Sequence, residues 1–185
     1  MTIVVNDANV LIDLVKLKLL PHFFSLNLIF HTSSLILEEL HQEQRDQLQE
    51  FIDTGILNVL ELSADEISQV IDLQTEKPQL SEQDCSAIVC AKKVNGELLT
   101  SDNNLRKFAK TKSVVVRGHL WIFDLMIDEQ KITGATGIAK LNELREVINP
   151  KLGLPVHECE MRIYNWKEYI LGDVCKKIGS GATPG

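Results

Sequence analysis

The feature that most constrains this chain is an apolar, β-branched run without polar alternation, Thr2-Ile-Val-Val-Asn6, closed by Asp7 and followed at once by helical periodicity. A strand that does not alternate is buried on both faces, the condition of a parallel sheet covered by helices. From Asn9 onward, Val10, Leu11, Leu14 and Leu17 share one helical face, and the period places Asp13 and Lys16 pointing away from it.

The alternation then repeats. Thr32-Ser-Ser reads as the cap of a second amphipathic helix through about Gln42, followed by a charged helical stretch that stops at Thr54-Gly55. Ile56 to Leu62 reads as a strand. Ser63-Ala-Asp-Glu66 is a capping box for a helix to about Thr75, and Ser81-Glu-Gln-Asp84 opens another that reaches about Val94. Asn95-Gly96 marks a turn, Glu97 to Thr100 a strand, Asn103 to Lys110 a helix and Ser113 to Val116 a strand. Beyond Val116 the pattern is mostly helical, with Ile138, Leu141, Leu144 and Ile148 in period up to Asn149-Pro150. Strands alternating with helices specify an α/β fold with right-handed crossovers, a central parallel sheet and ligands bound beyond the carboxyl ends of its strands.

Of the 185 residues, 44% are hydrophobic, enough for one domain's core. The four cysteines, Cys85, Cys90, Cys159 and Cys175, form no Cys-x-x-Cys pair, which excludes a disulfide staple and a cysteine zinc site and suits a reducing cytoplasm. No leader pattern opens the chain, and the longest uncharged stretch, Leu19 to Leu37, is interrupted by Pro21, His22, Ser25, Asn27 and His31, so no membrane span is expected. The net charge is −7, but it is unevenly placed: Lys92 to Arg117 holds seven bases and two acids, whereas Glu38 to Glu76 holds eleven acids and one arginine. Such a basic strip is a candidate phosphate-contacting surface, with Lys92, Lys93, Arg106 and Lys107 as candidate contacts, although a solvated helix face has the same composition.

Four acids stand where the local pattern asks for something else. Asp7 and Asp102 each follow an apolar strand, so both emerge at the same carboxyl-end rim of a parallel sheet, unless each simply caps the helix that follows. At about 100° per residue, Glu39 falls at the edge of the apolar face made by Leu35, Ile36, Leu37 and Leu40, while Glu38 falls nearly opposite it. Asp84 heads the apolar stripe of Ala87, Ile88 and Ala91, a position that also serves the Ser81 capping box. Four carboxylates brought together repel and raise one another's pKa unless a cation sits among them. All-oxygen donors favour Mg²⁺ or Mn²⁺ over zinc, and hence phosphodiester or phosphoryl chemistry.

These residues resemble the PIN-domain ribonucleases. Val5-Asn-Asp7-Ala-Asn9-Val-Leu is similar to the family's opening motif, Leu37-Glu-Glu39-Leu40 to its helical Glu-Leu, Leu80-Ser-Glu-Gln-Asp84 to its third acidic motif and Thr100-Ser-Asp102 to its Thr-x-Asp. The resemblance implies a three-layer fold around a parallel sheet of about four or five strands, with a catalytic domain over 1–125, a helical extension over 126–178 packed on the same domain, and a flexible tail over 179–185. It implies a Mg²⁺- or Mn²⁺-dependent endoribonuclease, with Asp7, Glu39, Asp84 and Asp102 holding the metal and Asn9, Thr100 and Asn104 orienting them. It extends to the toxins of type II toxin-antitoxin modules, which implies RNA as substrate, an antitoxin encoded nearby as partner, and a homodimer. Position 104, often acidic in the family, is Asn here, which favours one metal over two.

Two other readings stay open at this level. One is a PIN module that binds nucleic acid or protein without turnover. The other is a phosphatase using Asp7 as nucleophile, which Asn9 disfavours because that chemistry wants an acid two residues on. The five histidines show no metal spacing, Cys85 and Cys90 read as buried small hydrophobes, and Leu120, Trp121 and Phe123 read as core in preference to an exposed aromatic platform for bases.

Overall fold

A computed structural model of the protein describes residues 1–179. The tail expected over 179–185 lies outside them past Gly179. Strand β1 (Thr2–Asn6) is followed by α1 (Ala8–Lys16), α2 (Leu20–Phe24), β2 (Leu28–Ser33), α3 (Ser34–Glu38) and α4 (Gln42–Asp53). Then come β3 (Leu57–Leu60), α5 (Ala64–Glu76), α6 (Glu82–Lys93), β4 (Glu97–Leu99), α7 (Asn103–Thr111) and β5 (Val116–Arg117). The chain continues through α8 (His119–Asp128), α9 (Gly134–Glu143), a π-helical turn (Leu144–Ile148) and α10 (Val156–Gly179).

The five strands form one parallel sheet in the order β3-β2-β1-β4-β5. Val4 and Val5 of the central strand are fully buried, as a strand without alternation requires. Right-handed crossovers set α1, α2 and α4 on one face and α5, α6 and α7 on the other. The first set is packed mutually through α1, and α6 lies across β1, β2 and β4. The chain leaves β1 toward β2 but leaves β4 toward β5, so the crossovers diverge between these two adjacent strands. A crevice opens there at their carboxyl ends, the usual ligand position in an open α/β sheet.

Three expectations give way. Leu28–Ser33 is a strand: Thr32 belongs to it, and Ser33 caps only the short α3, its hydroxyl accepting from the Ile36 amide at 3.1 Å. The long amphipathic helix to Gln42 therefore breaks at Leu40, and α4 begins afresh at Gln42. The last strand lies at Val116–Arg117, later than Ser113 to Val116, because Ser113 takes a positive φ of 63° that turns the chain before pairing begins. Asp13 does not point to solvent. It is 3% exposed, its carboxylate accepting from Asn149 Nδ2 at 3.2 Å and lying 3.1 Å from His119 Nε2, close enough for an ion pair though without hydrogen-bond alignment.

The C-terminal helices pack on the domain through α8. Gly137 of α9 faces Ile127 and Trp166, and the Phe123 and Trp166 rings lie 6.0 Å apart. Cys85, Cys90 and Cys159 are buried and free. No described helix is long and apolar enough to cross a membrane.

Candidate active site

At the crevice, Asp7 occupies the position of a helix cap but does not cap α1. Its backbone amide is bound to the Leu99 carbonyl at 3.0 Å, which pins the end of β1 to the end of β4, and its Oδ2 accepts the Thr100 hydroxyl at 2.7 Å. Thr100 in turn accepts from the Asp102 amide at 3.1 Å, so one buried hydroxyl ties the two strand ends and both of their acids. Burial pushes the Asp7 carboxyl up from 3.8 to about 7; the Thr100 bond opposes that rise, and the charges of Asp84 and Glu39 add to it.

Asp84 and Asp102 do serve as caps. Ser81 and Asp84 form a reciprocal capping box at the start of α6, the Ser81 amide donating to Asp84 Oδ2 at 2.9 Å. Asp102 Oδ1 accepts from the Leu105 amide at 2.7 Å and starts α7. Capping and site geometry are compatible here, because each cap fixes a half-buried carboxylate at the head of a helix aimed at the crevice. Asp84 is raised by burial, against the Ser81 bonds that lower it, with Asp102 adding to the rise. Glu39, at the end of α3, is exposed as a residue, yet desolvation and then Asp84 raise its carboxyl. What brings it there is a buried hydroxyl pair: Ser33 Oγ lies 3.0 Å from Ser86 Oγ, fastening the start of α3 to α6. Asp7, Glu39, Asp84 and Asp102 thus form one electrostatically coupled group drawn from four separate helix starts and ends.

The remaining sequence candidates disperse. Asn9 is exposed on α1 and makes no hydrogen bond to these acids among the described residues. Asn104 is exposed and lines a shallow hollow with Lys77, Lys107 and Phe108. Lys92 and Lys93 stand at the far end of α6, roughly 12 Å along the helix from Asp84 at 1.5 Å per residue. Lys93 is engaged there by Glu66 at 2.9 Å and by the Glu61 carbonyl. Arg106 spends one amino group on the carbonyls of Thr100 and Arg117, each at 2.9 Å, clasping the ends of β4 and β5. Sequence reasoning passed over Arg162, counted Arg117 only within the basic strip and preferred core for Trp121. All three line a cleft beside the carboxylates whose walls lie dozens of residues apart, a juxtaposition with no local signal.

Among the described residues no three His, Cys, Asp or Glu side chains gather into a group that could hold a metal ion as placed. The chemistry of the set nevertheless fits a hard divalent cation: the donors are all oxygen, mutually repelling, and one carboxyl is buried with its pKa driven up to about 7 in the absence of a counter-charge.

A family model described as a PIN domain (DUF3368) matches residues 3–150. The match runs past Leu125, where the motif resemblance ends, and stops before α10. No curated protein matches the chain.

Proposed function

The chain belongs to the PIN-domain family, whose members are generally nucleases, and we propose that it is a Mg²⁺- or Mn²⁺-dependent endoribonuclease. The observation that carries this reading is Asp7: a carboxylate 1% exposed, held by Thr100 and facing the charges of Asp84 and Glu39. Such a group is kept either by holding its proton or by receiving a cation, and the all-oxygen donors around it suit a divalent cation. Asp7, Glu39, Asp84 and Asp102 would hold the divalent ion, which when bound polarises the scissile phosphate and makes water a better nucleophile.

The chain's own residues do the rest. Thr100 fixes the Asp7 carboxylate by donating to its Oδ2. The Leu105 amide does the same for Asp102, and the Ser81 capping box for Asp84. Exposed Glu39 completes the rim from α3.

Incubating the purified protein with end-labelled single-stranded RNA and Mn²⁺ tests the proposal. Internal cleavage abolished by EDTA is the expected result; cleavage that persists in EDTA contradicts the metal. On the same reading RNA is the substrate and, in a type II toxin-antitoxin module, a neighbouring antitoxin protein is the partner. Growth arrest on expression, relieved by the product of an adjacent gene, is the corresponding outcome in cells.

A second reading, a PIN module that binds without turnover, is favoured by the exposure of Glu39 and the lack of a ready ligating group among the described residues. RNA bound but left intact at saturating Mn²⁺ selects it.

A further inference from the structure

On the β5 side of the carboxylates lies a cleft of about 360 Å³, within the size range of small-ligand pockets, which shares Thr100 and Ser101 with the acidic rim. One wall comes from the ends of β4 and β5 with α7 and α8. The other comes from Leu152 to Pro155 and the start of α10, outside the family-matched span of 3–150.

Three guanidinium groups, Arg106, Arg117 and Arg162, line the cleft against one carboxylate, Glu158, on a chain of net charge −7. Each is anchored by bonds within the protein. Arg106 Nη1 donates to two strand-end carbonyls, Arg117 donates through Nε and Nη2 to Glu97, and Arg162 donates through Nε to Asp124 and Nη1 to Glu158. Each keeps an amino group without a partner among the described residues: Nη2 of Arg106, Nη1 of Arg117 and Nη2 of Arg162. Anchored guanidinium groups with spare N–H donors suit phosphate oxygens, because little side-chain freedom remains to be lost on binding. Trp121, half-buried, lines the same cleft, and the Arg117 guanidinium carbon lies 5.3 Å from the centre of its ring. Nucleobases stack on both kinds of flat surface.

We propose that this cleft seats the nucleotide next to the scissile phosphate, its base stacked on the Arg117–Trp121 pair and its phosphate received by Arg106 and Arg162. A base can enter only if it is unstacked from its neighbours, so the substrate class is single-stranded RNA. The inference rests on the nuclease reading for its substrate but not for its test.

The full-length protein carrying Asp7→Asn, which prevents turnover, is titrated against fluorescein-labelled single-stranded RNA and a hairpin duplex, with anisotropy as the readout. Arg117→Gln/Arg162→Gln and Trp121→Leu are compared with the charge control Lys16→Gln/Lys18→Gln, which lies at the opposite end of α1. Arg162→Gln alone serves if the double variant melts early. Each cleft variant is expected to weaken single-strand binding about tenfold, the arginine variant also flattening the salt dependence, while the control stays within about twofold and the duplex binds more weakly than the single strand. Affinities of the cleft variants within about twofold of their parent overturn the proposal, as does a cleft that captures a protein partner while RNA binding ignores it. RNA bound through the cleft but never cleaved by the wild-type protein removes the nuclease reading and leaves the cleft assignment standing. RNA cleaved with affinity indifferent to the cleft does the reverse.

Discussion

The Thr100 hydroxyl donates to Asp7 Oδ2 across 2.7 Å, joining the ends of two adjacent parallel strands whose crossovers leave in opposite directions. Both residues are buried, so the bond is not shared with bulk water and sets the direction of the Asp7 carboxylate. Thr100→Val removes this donor and also the acceptor for the Asp102 amide. RNA cleavage should fall about 10- to 100-fold, and the pH at which metal binds should move upward, because the bond that holds the Asp7 carboxyl down is gone. Thr100→Ser should restore both. A valine variant with wild-type rate and pH profile would sink the assignment.

Stability should depend on pH through Asp7. The folded protein holds the Asp7 proton more tightly than the unfolded chain, so this contribution is fully present below pH 3.8 and is lost as pH rises through about 7. Complete loss is on the order of 4 kcal/mol at 1.36 kcal/mol per pK unit. In EDTA, Asp7→Asn should therefore melt higher than wild type at pH 8, by roughly 8–16 °C for a domain of this size, and close to it at pH 4. Parallel melting curves across that range would show that Asp7 carries no such strain.

Glu38 and Glu39 separate the two sides of α3. Glu39→Gln should lower cleavage and metal affinity because its carboxyl is coupled to Asp84. Glu38→Gln should leave both unchanged to within a few tenths of a kcal/mol, since the Arg45 guanidinium holds the Glu38 backbone carbonyl and not its side chain. Rate and calorimetric affinity for the pair decide; the reverse pattern would reassign the second acid.

Gly137 reports on how the C-terminal helices sit. A Cβ there would lie 2.6 Å from Ile127 Cδ1, in a layer closed from the other side by Trp166. Gly137→Leu, whose bulk no rotation of Ile127 can make room for, should destabilise the protein by about 1–3 kcal/mol through overpacking, visible in a urea titration. An unchanged midpoint would mean that α9 does not dock on α8 as described.

Where local chemistry was self-sufficient, the structure could be read in advance. The apolar run before Asp7, the Ser63 and Ser81 capping boxes and the Asn95-Gly96 turn placed β1, α5, α6 and the entry to β4 to within a residue or two. Strand β2 was missed because its end, His31-Thr-Ser33, is made of residues that also begin helices, and only pairing with β1 and β3 decides between the two. Asp13 was misplaced because helical period alone cannot foresee Asn149 and His119 arriving from the C-terminal helices to cover it. The acids themselves were legible as departures from pattern. Their coupling was not, since the Ser33–Ser86 and Thr100–Asp7 bonds that draw the elements together span 53 and 93 residues.

The central claim, that four carboxylates act as one cation-holding group, is tested most directly by titrating Mn²⁺ into the metal-free protein in a calorimeter at pH 7.5, for wild type and for Asp7→Asn, Glu39→Gln, Asp84→Asn and Asp102→Asn. The account predicts a saturable site in the wild type that each substitution weakens about tenfold or more, with protons released on binding because Asp7 gives up its own. Absence of binding at millimolar Mn²⁺, or a site that survives Asp7→Asn unchanged, would contradict it.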